Sequence, residues 1–385
     1  MPVVLRLSAI ALAVVLCTPR SRAADLIISM NDNHTVLDAD ANQVATNPMR
    51  PDTADVIDFS QSPPHIVRSF EVPGSVVGPP FAVWVAPDFS WAILASATKA
   101  DPAGKFGISP DDRISVVDLT SNPPQVVQTL TAGLGATTVR MSPDSTLVLV
   151  ANRTEGSVSA FSVKDKRLTQ AGKVELGKQS GASGLVFSKD GRTALVTRQF
   201  DHQVSVLHIA GTDISVDKRP ITTALGPYTM DTNVEQTLAA VANMGRGDGD
   251  NDSVSLIDLT QSPPRAVGIA SVASGPEPMK FSPDGRFLAV GAELGTPLKP
   301  GAPFYHDHGL LQVFAVEGQA LRLVASGPVG RWVEGIAWSR NGKTILVQNA
   351  RDLTISVFDF DEHTLKAMPD LVPSGAPVSF GVPWP

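Results

Sequence analysis

Short runs of alternating apolar and polar residues recur along the chain and predict β-strands of nearly identical sequence. The seven copies lie at 54–58, 114–118, 158–162, 204–208, 254–258, 311–315 and 355–359. Their last residues are 60, 44, 46, 50, 57 and 44 residues apart, and a period of about 50 fits one four-stranded propeller blade. The pattern therefore predicts an all-β fold, a seven-bladed β-propeller.

Two kinds of turn repeat together with these strands. The first is Ser-Pro-Asp-Gly at 282–285, with related copies at 86–88, 141–144, 187–191 and 338–342 and a degenerate copy at 232–236. Proline presets φ, aspartate bonds its own backbone and glycine tolerates positive φ, so these segments predict hairpin turns. The second kind, at 58–64, 118–124 and 258–264, ends in Pro-Pro and predicts the turn between the two outer strands of a blade.

The two ends of the chain are expected to complete one blade. Seven copies of the third strand are accompanied by only six hairpin turns, and the first unit begins at Leu26 with a second strand. The segment 375–380 resembles 275–281, which precedes a hairpin turn. We therefore expect ring closure by the N- and C-terminal strands.

Composition agrees with this architecture, and the first residues indicate export. Hydrophobic residues make up 43% of the chain and charged residues 18%, with 31 Gly and 31 Pro, which suits short strands and tight turns. Arg6, the apolar run 7–16 and the small residues up to Ala24 predict a signal peptide at 1–23, followed by a single domain at 24–385. A lipoprotein anchored through Cys17 and an uncleaved anchor are the alternatives.

Cleavage would change the chemistry of the mature protein. It removes the only cysteine, Cys17, and three arginines, which changes the formal net charge from −7 to −10. An acidic chain without a basic tract is a poor nucleic-acid binder. We expect a periplasmic or secreted monomer with no transmembrane segment after cleavage and no nucleic-acid partner.

The repeats resemble those of the YVTN-type seven-bladed propellers, a group related to the bacterial lactonase-like propellers. The likeness covers about residues 25–385 and rests on the Ser-Pro-Asp-Gly turn, on strands ending at Asn31, Asn152, Asn243 and Asn349, and on the Val-Ser-Val-Ile-Asp strand type. The resemblance implies that lactonase-like members carry a histidine on an inner strand, with arginine and glutamate nearby. No histidine stands at the corresponding positions here, so the catalytic candidates are Glu334, His306 and His308.

Aligned on their turns, the inner strands predict a polar row near the central channel. One position is apolar in all seven blades, and the next reads Trp84, Arg140, Val186, Asp231, Lys280, Ala337 and Ser379. Arg140, Asp231 and Lys280 are expensive to bury without partners. They are expected either to pair with one another between blades or to bind an anionic ligand.

Three long loops, at 98–113, 244–252 and 293–309, are expected on one face, called here the long-loop face. His306 and His308 surround Asp307 and suit a transition metal, with His34 and His202 on equivalent loops. Asp248, Asp250 and Asp252 resemble a calcium loop. The alternatives are a solvated loop and a flexible turn. The arginines Arg153, Arg198, Arg246 and Arg351 form a candidate anion-binding ring, or simply cap loops.

Three functions remain open from the sequence. The first is an exported module that binds a small-molecule or protein ligand through its long-loop face. The second is a lactonase-like hydrolase of the 6-phosphogluconolactonase propeller type, and the third is a metal- or quinoprotein-type redox propeller. Cofactors are unknown, with a divalent metal as the candidate. Phosphate-binding loops, dinucleotide fingerprints and serine-hydrolase elbows are absent from the sequence.

Overall fold

Seven antiparallel four-stranded sheets succeed one another around a central channel in the computed structural model, which describes residues 25–384. This confirms the predicted all-β, seven-bladed propeller. The predicted signal peptide 1–23, including Cys17, lies outside the described residues. No helix in the described part of the chain is both long and apolar enough to span a membrane.

The blades are numbered 1 to 7 in the chain order of their second strands. From blade 1 to blade 7, the inner strands are Ala376–Gly381, Val83–Val85, Ala136–Met141, Ala182–Phe187, Pro227–Thr232, Pro276–Phe281 and Val333–Trp338. The second strands are Leu26–Asp32, Trp91–Ala95, Leu147–Asn152, Thr193–Arg198, Leu238–Asn243, Phe287–Ala292 and Thr344–Asn349. The third strands are Thr53–Asp58, Arg113–Asp118, Ser157–Lys164, Gln203–Ala210, Asp252–Asp258, Gly309–Glu317 and Thr354–Phe360. The outer strands are His65–Glu71, Gln125–Thr131, Arg167–Glu175, Asp213–Val216, Arg265–Val272, Ala320–Val329 and Leu365–Leu371.

Blade 1 is built from both ends of the chain, as the sequence predicts. The strand Ala376–Gly381 pairs antiparallel with Leu26–Asp32, with Ser29 opposite Phe380 and a register shift between Met30 and Asn31. The closing strand supplies the inner position that the N-terminal unit lacks. The pairing of this strand with Leu26–Asp32 gives blade 1 its fourth strand and closes the ring by backbone hydrogen bonds between the two ends of the chain.

The core lies between neighbouring blades rather than at the centre of the ring. The apolar row of the inner strands is buried, and Met279 of blade 6 packs with Leu256 of blade 5 and Val290 of its own blade. The second strands are buried on both faces, for example at all six residues of Leu147–Asn152. Outer strands alternate between partly buried and exposed residues, which is the pattern of a sheet edge near solvent.

The repeated turn has the conformation that its residues predict. Asp284 Oδ1 accepts hydrogen bonds from Ser282 Oγ at 2.6 Å and from the Arg286 backbone N–H at 3.1 Å. Gly285 then has a φ of 71°, which a β-carbon would strain. The turn thus reverses the chain between the inner and second strands, and all such turns share one face, called here the turn face.

The repeated asparagine fastens the second strand to the third. Asn152 Nδ2 donates to Ser157 Oγ and Ser159 Oγ, each at 2.9 Å, and Asn349 Nδ2 donates to Ser356 Oγ at 2.9 Å. These bonds pair the buried amide NH₂ groups of both asparagines. Their repetition gives a structural reason for the strand-ending asparagines of the sequence motif.

Additional short elements decorate the long-loop face. The predicted long loop after Trp91–Ala95 contains the hairpin Thr98–Ala100 and Ile108–Pro110, with the 3-10 turn Lys105–Gly107 between its strands. A second hairpin, Thr35–Leu37 with Gln43–Ala45, was not predicted. The remaining elements are the 3-10 turn Gln199–Asp201 and the strand Ile221–Thr222, which pairs with Gln203–Ala210.

Candidate functional site

Two register positions bring polar side chains together at the long-loop end of the channel. The first lies two residues before the apolar row of each inner strand and reads Phe81, Thr137, Ser183, Tyr228, Glu277, Glu334 and Ala376. The second directly follows a second strand, where blade 3 supplies Arg153 and blade 6 supplies Glu293. Tyr228, Glu277, Glu334, Arg153 and Glu293 are called here the glutamate cluster, because each affects the ionisation of at least one other member.

Glu277 and Glu293 are a coupled pair of buried carboxyl groups. They are 7% and 5% exposed, respectively. Burial raises the pKa of Glu277 to about 7, against the opposing effects of hydrogen bonding with Glu293, the charge of Arg153 and hydrogen bonding with Tyr228. Burial and the charge of Glu277 raise the pKa of Glu293 well above its usual range. Glu277 therefore exchanges its proton near neutral pH, and the surroundings of Glu293 favour its neutral form.

Glu334 shares this end of the channel but has no hydrogen-bond partner among residues 25–384. It is 1% exposed, and neither of its carboxylate oxygens bonds to a described group. Burial raises its pKa well above the usual value, and the charges of Glu277 and Glu293 act in the same direction. The surroundings of Glu334 therefore favour the neutral form of its carboxyl group.

Arg153 supplies the positive charge of the cluster. Its guanidinium carbon lies 5.1 Å from the ring centroid of Phe200 and 5.7 Å from that of Tyr228, which fixes the plane of the fork. Nη2 donates to Gln199 Oε1 at 2.7 Å, while Nε is buried without an acceptor among the described residues. Arg153 thus retains donor capacity for a further anionic or carbonyl oxygen.

A cavity of about 550 Å³ adjoins Arg153 on the long-loop face. Its walls are Arg153, Thr154, Lys178, Gln179, Phe200 and Asp201. The lining is mostly polar, and its volume falls in the range of small-molecule sites. Arg153 belongs both to this cavity and to the glutamate cluster, so a molecule in the cavity would contact the residue that also acts on Glu277.

The predicted transition-metal residues are not brought together. His306 is exposed, and its Nδ1 lies 2.9 Å from the carbonyl oxygen of Leu294. His308 is exposed as well and bonds through Nδ1 to Asp307 Oδ1 at 2.8 Å. His202 Nδ1 accepts the backbone N–H of Gly226 at 3.1 Å. Each imidazole therefore has its own local partner, and none of them belongs to the glutamate cluster.

The three aspartates of the predicted calcium loop differ in burial. Asp248 and Asp250 are exposed, whereas Asp252 is partly buried and accepts the backbone N–H of Gly275 at 2.8 Å through Oδ2. Burial raises the pKa of Asp252, the Gly275 bond opposes the shift, and the charges of Asp248 and Asp250 add to it. Asp252 positions the loop that leads into the inner strand carrying Glu277.

The four predicted arginines have separate local roles. Arg198 pairs with Asp201, and Arg246 is exposed with no ion pair in residues 25–384. Arg351 Nη1 donates to the carbonyl oxygens of Thr296 and Leu298 at 2.8 and 2.9 Å, which holds the long loop 293–309. Arg198 ends its second strand, whereas Arg153, Arg351 and Arg246 follow theirs by one, two and three residues, so of the four only Arg153 belongs to the cluster.

The polar row predicted near the channel lies towards the turn face. Lys280 Nζ and Asp231 Oδ1 are 3.3 Å apart, so the expected pairing between blades is present for these two residues. Arg140 does not join the pair and stacks on Phe81 instead, with 4.3 Å between its guanidinium carbon and the ring centroid.

One trio in residues 25–384 has the mutual distances of a metal site, namely Asp32, His34 and Asp52. Its atoms are occupied by hydrogen bonds within the chain. Asp32 accepts the backbone N–H groups of His34, Thr35 and Val76 at 2.7–2.8 Å. His34 contacts Asp52 Oδ1 at 2.8 Å through Nδ1 and Thr98 Oγ1 at 3.2 Å through Nε2. The trio fastens the loops of blades 1 and 2.

This trio makes stability depend on pH. Burial raises the pKa of Asp32 to about 6 against the charge of His34. For His34, burial opposes protonation, but bonding to Asp52 and the charges of both aspartates outweigh it and raise the pKa. Both folded-state pKa values exceed the unfolded ones, so both groups contribute stability at low pH that is lost as pH rises through the folded values.

We expect His34→Gln to destabilise the protein by about 2 kcal/mol at pH 5.5, because a charge-assisted bond is lost, and by less at pH 8.5. Calorimetric melting at both pH values measures the difference. His363→Gln is the control, because His363 is exposed. Equal destabilisation by His34→Gln at both pH values would contradict the role assigned to the protonated imidazole.

The sequence analysis identified Glu334 and Arg153 but missed Glu277, Glu293 and Tyr228. Glu277 and Tyr228 share the register position of Glu334, and Glu293 shares that of Arg153. Extending the inner-strand alignment by two residues would have found the first two. Glu293 follows Ala292, which stands at the position of the strand-ending asparagines Asn152, Asn243 and Asn349. Its register position is therefore recognised only when the second strands are aligned with one another.

Comparisons with known proteins agree with this architecture. The family model described as lactonase, seven-bladed β-propeller, matches residues 113–229. Over this segment the chain is similar to that family, and its fold is a seven-bladed β-propeller. Comparison with curated proteins gives no match. The matched segment includes Arg153 and Tyr228 but ends before the three glutamates, so the family model does not cover the whole cluster.

Several solved structures of lactonase-like propellers share the fold. The periplasmic gluconolactonase of Pseudomonas aeruginosa is 19% identical, with a TM-score of 0.68, over 94% of this chain and 100% of its own. Two proteins provisionally described as 6-phosphogluconolactonases, from Bacteroides uniformis and Bacteroides fragilis, are 17% and 15% identical, with TM-scores of 0.71 and 0.70. They cover 92% and 94% of this chain and 99% and 98% of their own. At these identities the likeness shows the fold alone.

Proposed function

We propose that this lactonase-like propeller hydrolyses sugar lactones at the glutamate cluster. The observation that carries the proposal is the Glu277–Glu293 pair beside Arg153. A carboxylate with a pKa of about 7 is suited to act as a general base at neutral pH, and a neutral carboxyl group beside it is suited to act as an acid.

The cluster supports a balanced hydrolysis. Glu277 takes a proton from water, and the water oxygen forms a bond to the lactone carbonyl carbon. The negative charge that develops on the carbonyl oxygen is stabilised by the free donors of Arg153. The ring C–O bond then breaks, and the neutral carboxyl group of Glu293 gives its proton to the leaving alkoxide. Lactone and water yield one hydroxy acid, and the proton on Glu277 passes to the ionised Glu293, which restores both groups to their starting states.

The cavity beside Arg153 favours a hydroxylated or anionic substrate. Lys178 and Arg153 contribute positive charge to its walls, and Thr154 and Gln179 contribute neutral polar groups. This lining suits an aldonolactone, with or without a phosphate group. The names of the similar structures, a gluconolactonase and two proteins described as 6-phosphogluconolactonases, support the same substrate class.

The proposed enzyme acts outside the cytoplasm as a monomer without a nucleic-acid partner. The predicted signal peptide supports export, and the Pseudomonas aeruginosa protein with the same fold is described as periplasmic. A periplasmic location would place the enzyme where sugar lactones can be hydrolysed before uptake.

The proposal is tested by titrating the acid released from glucono-δ-lactone, galactono-γ-lactone and 6-phosphoglucono-δ-lactone at pH 6.5, above the buffer rate. We expect Arg153→Met to lower kcat/KM by about 10²-fold, the typical effect of removing an oxyanion donor. Arg246→Met is the matched control, because Arg246 is exposed on the same face. Lactone binding without turnover by the wild-type protein would favour the non-catalytic binding module instead.

A further inference from the structure

A second pocket, of about 460 Å³, lies at the opposite end of the channel from the glutamate cluster. Turn residues such as Pro143, Ser145 and Gln236 form its rim, so it opens on the turn face. Its inner wall is the polar row of the inner strands, with Arg140, Asp231 and Lys280. No step of the proposed hydrolysis uses these residues.

Arg140 brings an uncompensated positive charge to this pocket. Its single hydrogen bond in the described part of the chain goes from Nη1 to its own neighbour, the Val139 carbonyl oxygen, at 3.2 Å. No described carboxylate lies within salt-bridge distance of it. Burial lowers the pKa of Arg140 to about 10, with Asp231 opposing the shift, so the guanidinium is still charged at neutral pH. Most of its five N–H donors are free for a ligand.

The other two charges of the pocket largely cancel. Lys280 Nζ is 3.3 Å from Asp231 Oδ1, and Asp231 Oδ2 also accepts the backbone N–H of Phe281 at 3.0 Å. Asp231 is therefore held against blade 6 and does not turn towards Arg140. Two cations and one anion leave the pocket with one net positive charge, which matches a monoanion.

Aromatic rings form part of the wall, beside prolines, aliphatic side chains and turn residues. Phe81 lies under the Arg140 guanidinium, which keeps the planar fork in one orientation. Trp84 packs edge to face on Trp91, with 4.9 Å between the ring centroids. Trp384 donates its indole N–H to the Trp338 carbonyl oxygen at 3.1 Å. These contacts hold flat apolar surfaces beside a guanidinium, in a volume typical of small-molecule sites.

We propose that this turn-face pocket binds an aromatic carboxylate, with the carboxylate on the Arg140 fork and the ring against the aromatic wall. A carboxylate accepts two parallel N–H donors from guanidinium, and a flat ring matches the remaining surface. The site is separate from the proposed lactone site, so one protein would carry a ligand pocket at each end of its channel.

Binding is measured by quenching of tryptophan fluorescence and by calorimetry, with benzoate and 2-naphthoate as probes and their neutral amides as controls. We expect saturable binding of the carboxylates and at least tenfold weaker binding of the amides. Arg140→Met should weaken carboxylate binding at least tenfold. Arg140→Lys keeps the positive charge but loses the forked guanidinium, so its affinity for the carboxylates should lie between those of the wild type and of Arg140→Met. Arg246→Met should bind as the wild type does.

Three outcomes would overturn the proposal: no binding of either carboxylate at 10 millimolar, equal binding of the amides, or unchanged binding by folded Arg140→Met. Inorganic phosphate that binds where the carboxylates do not would identify an oxyanion site and also refute it. Lactone hydrolysis should be unchanged in Arg140→Met, and benzoate binding unchanged in Glu277→Gln. Failure of one site can therefore be told from failure of the other.

Discussion

Glu277→Gln is expected to lower kcat/KM for lactone hydrolysis by about 10²- to 10⁴-fold, because an amide cannot take the proton from the attacking water. The substitution keeps the shape of the side chain. It also removes a buried carboxyl group whose pKa of about 7 makes ionisation costly in the folded state, so the variant should melt no lower than the wild type at pH 8. Initial rates at substrate concentrations well below KM measure the effect.

The pH profile identifies the same group. Wild-type kcat/KM should rise with pH through about 7 as Glu277 loses its proton, and the residual activity of Glu277→Gln should lack that step. Exposed Glu317 supplies the control, and Glu317→Gln should retain full activity.

Glu334→Gln tests whether the base is the glutamate of the neighbouring blade. The raised pKa of Glu334 favours its neutral form, which cannot act as a base, so we expect a loss of less than tenfold. A larger loss for Glu334→Gln than for Glu277→Gln would move the general base to Glu334. Full activity in both variants would refute catalysis at the cluster.

The architecture could be predicted because each blade repeats the same types of strand and turn. The turn at 282–285, the strand ending at Asn152 and the third strand at 254–258 each have a physical reason that holds in isolation, and the same elements recur with a period of about 50 residues. The closure of blade 1 could also be predicted. The sequence has seven third strands but only six hairpin turns between inner and second strands, so the C-terminal segment has to supply the remaining inner strand.

The candidate site could be predicted only in part because its members do not form a local motif. Arg153 and Glu277 are 124 residues apart; Arg153 directly follows a second strand, and Glu277 lies in an inner strand of another blade. His306, His308 and the aspartates near Asp248 were predicted as metal ligands because they lie close together in the sequence. In the structure, His306, His308, Asp248 and Asp250 are exposed to solvent on loops. Residues at equivalent register positions of different blades meet at the channel. The pattern that identifies the site therefore comes from comparing the blades with one another, not from residues that are neighbours in the sequence.

The closing strand is expected to control the stability of the whole ring, and Val378→Asp tests this. Val378 is 1% exposed and packs with Met30 and Val83, which belong to blades 1 and 2. An unpaired carboxylate there should cost about 5 kcal/mol and lower Tm by about 10 °C.

Val372→Asp is the matched control, because Val372 lies six residues earlier and is 76% exposed, so its melting temperature should be close to that of the wild type. Because the inner strand of blade 1 comes from the far end of the chain, its loss leaves Leu26–Asp32 without its inner partner and removes the packing of Phe380 against Ala337 of blade 7. A Val378→Asp protein that melts with the wild type would mean that the six covalently continuous blades hold the ring without its closure. A single cooperative transition at the lower temperature, detected equally by tryptophan fluorescence and by far-ultraviolet circular dichroism, would mean that the blades unfold together once the closure fails.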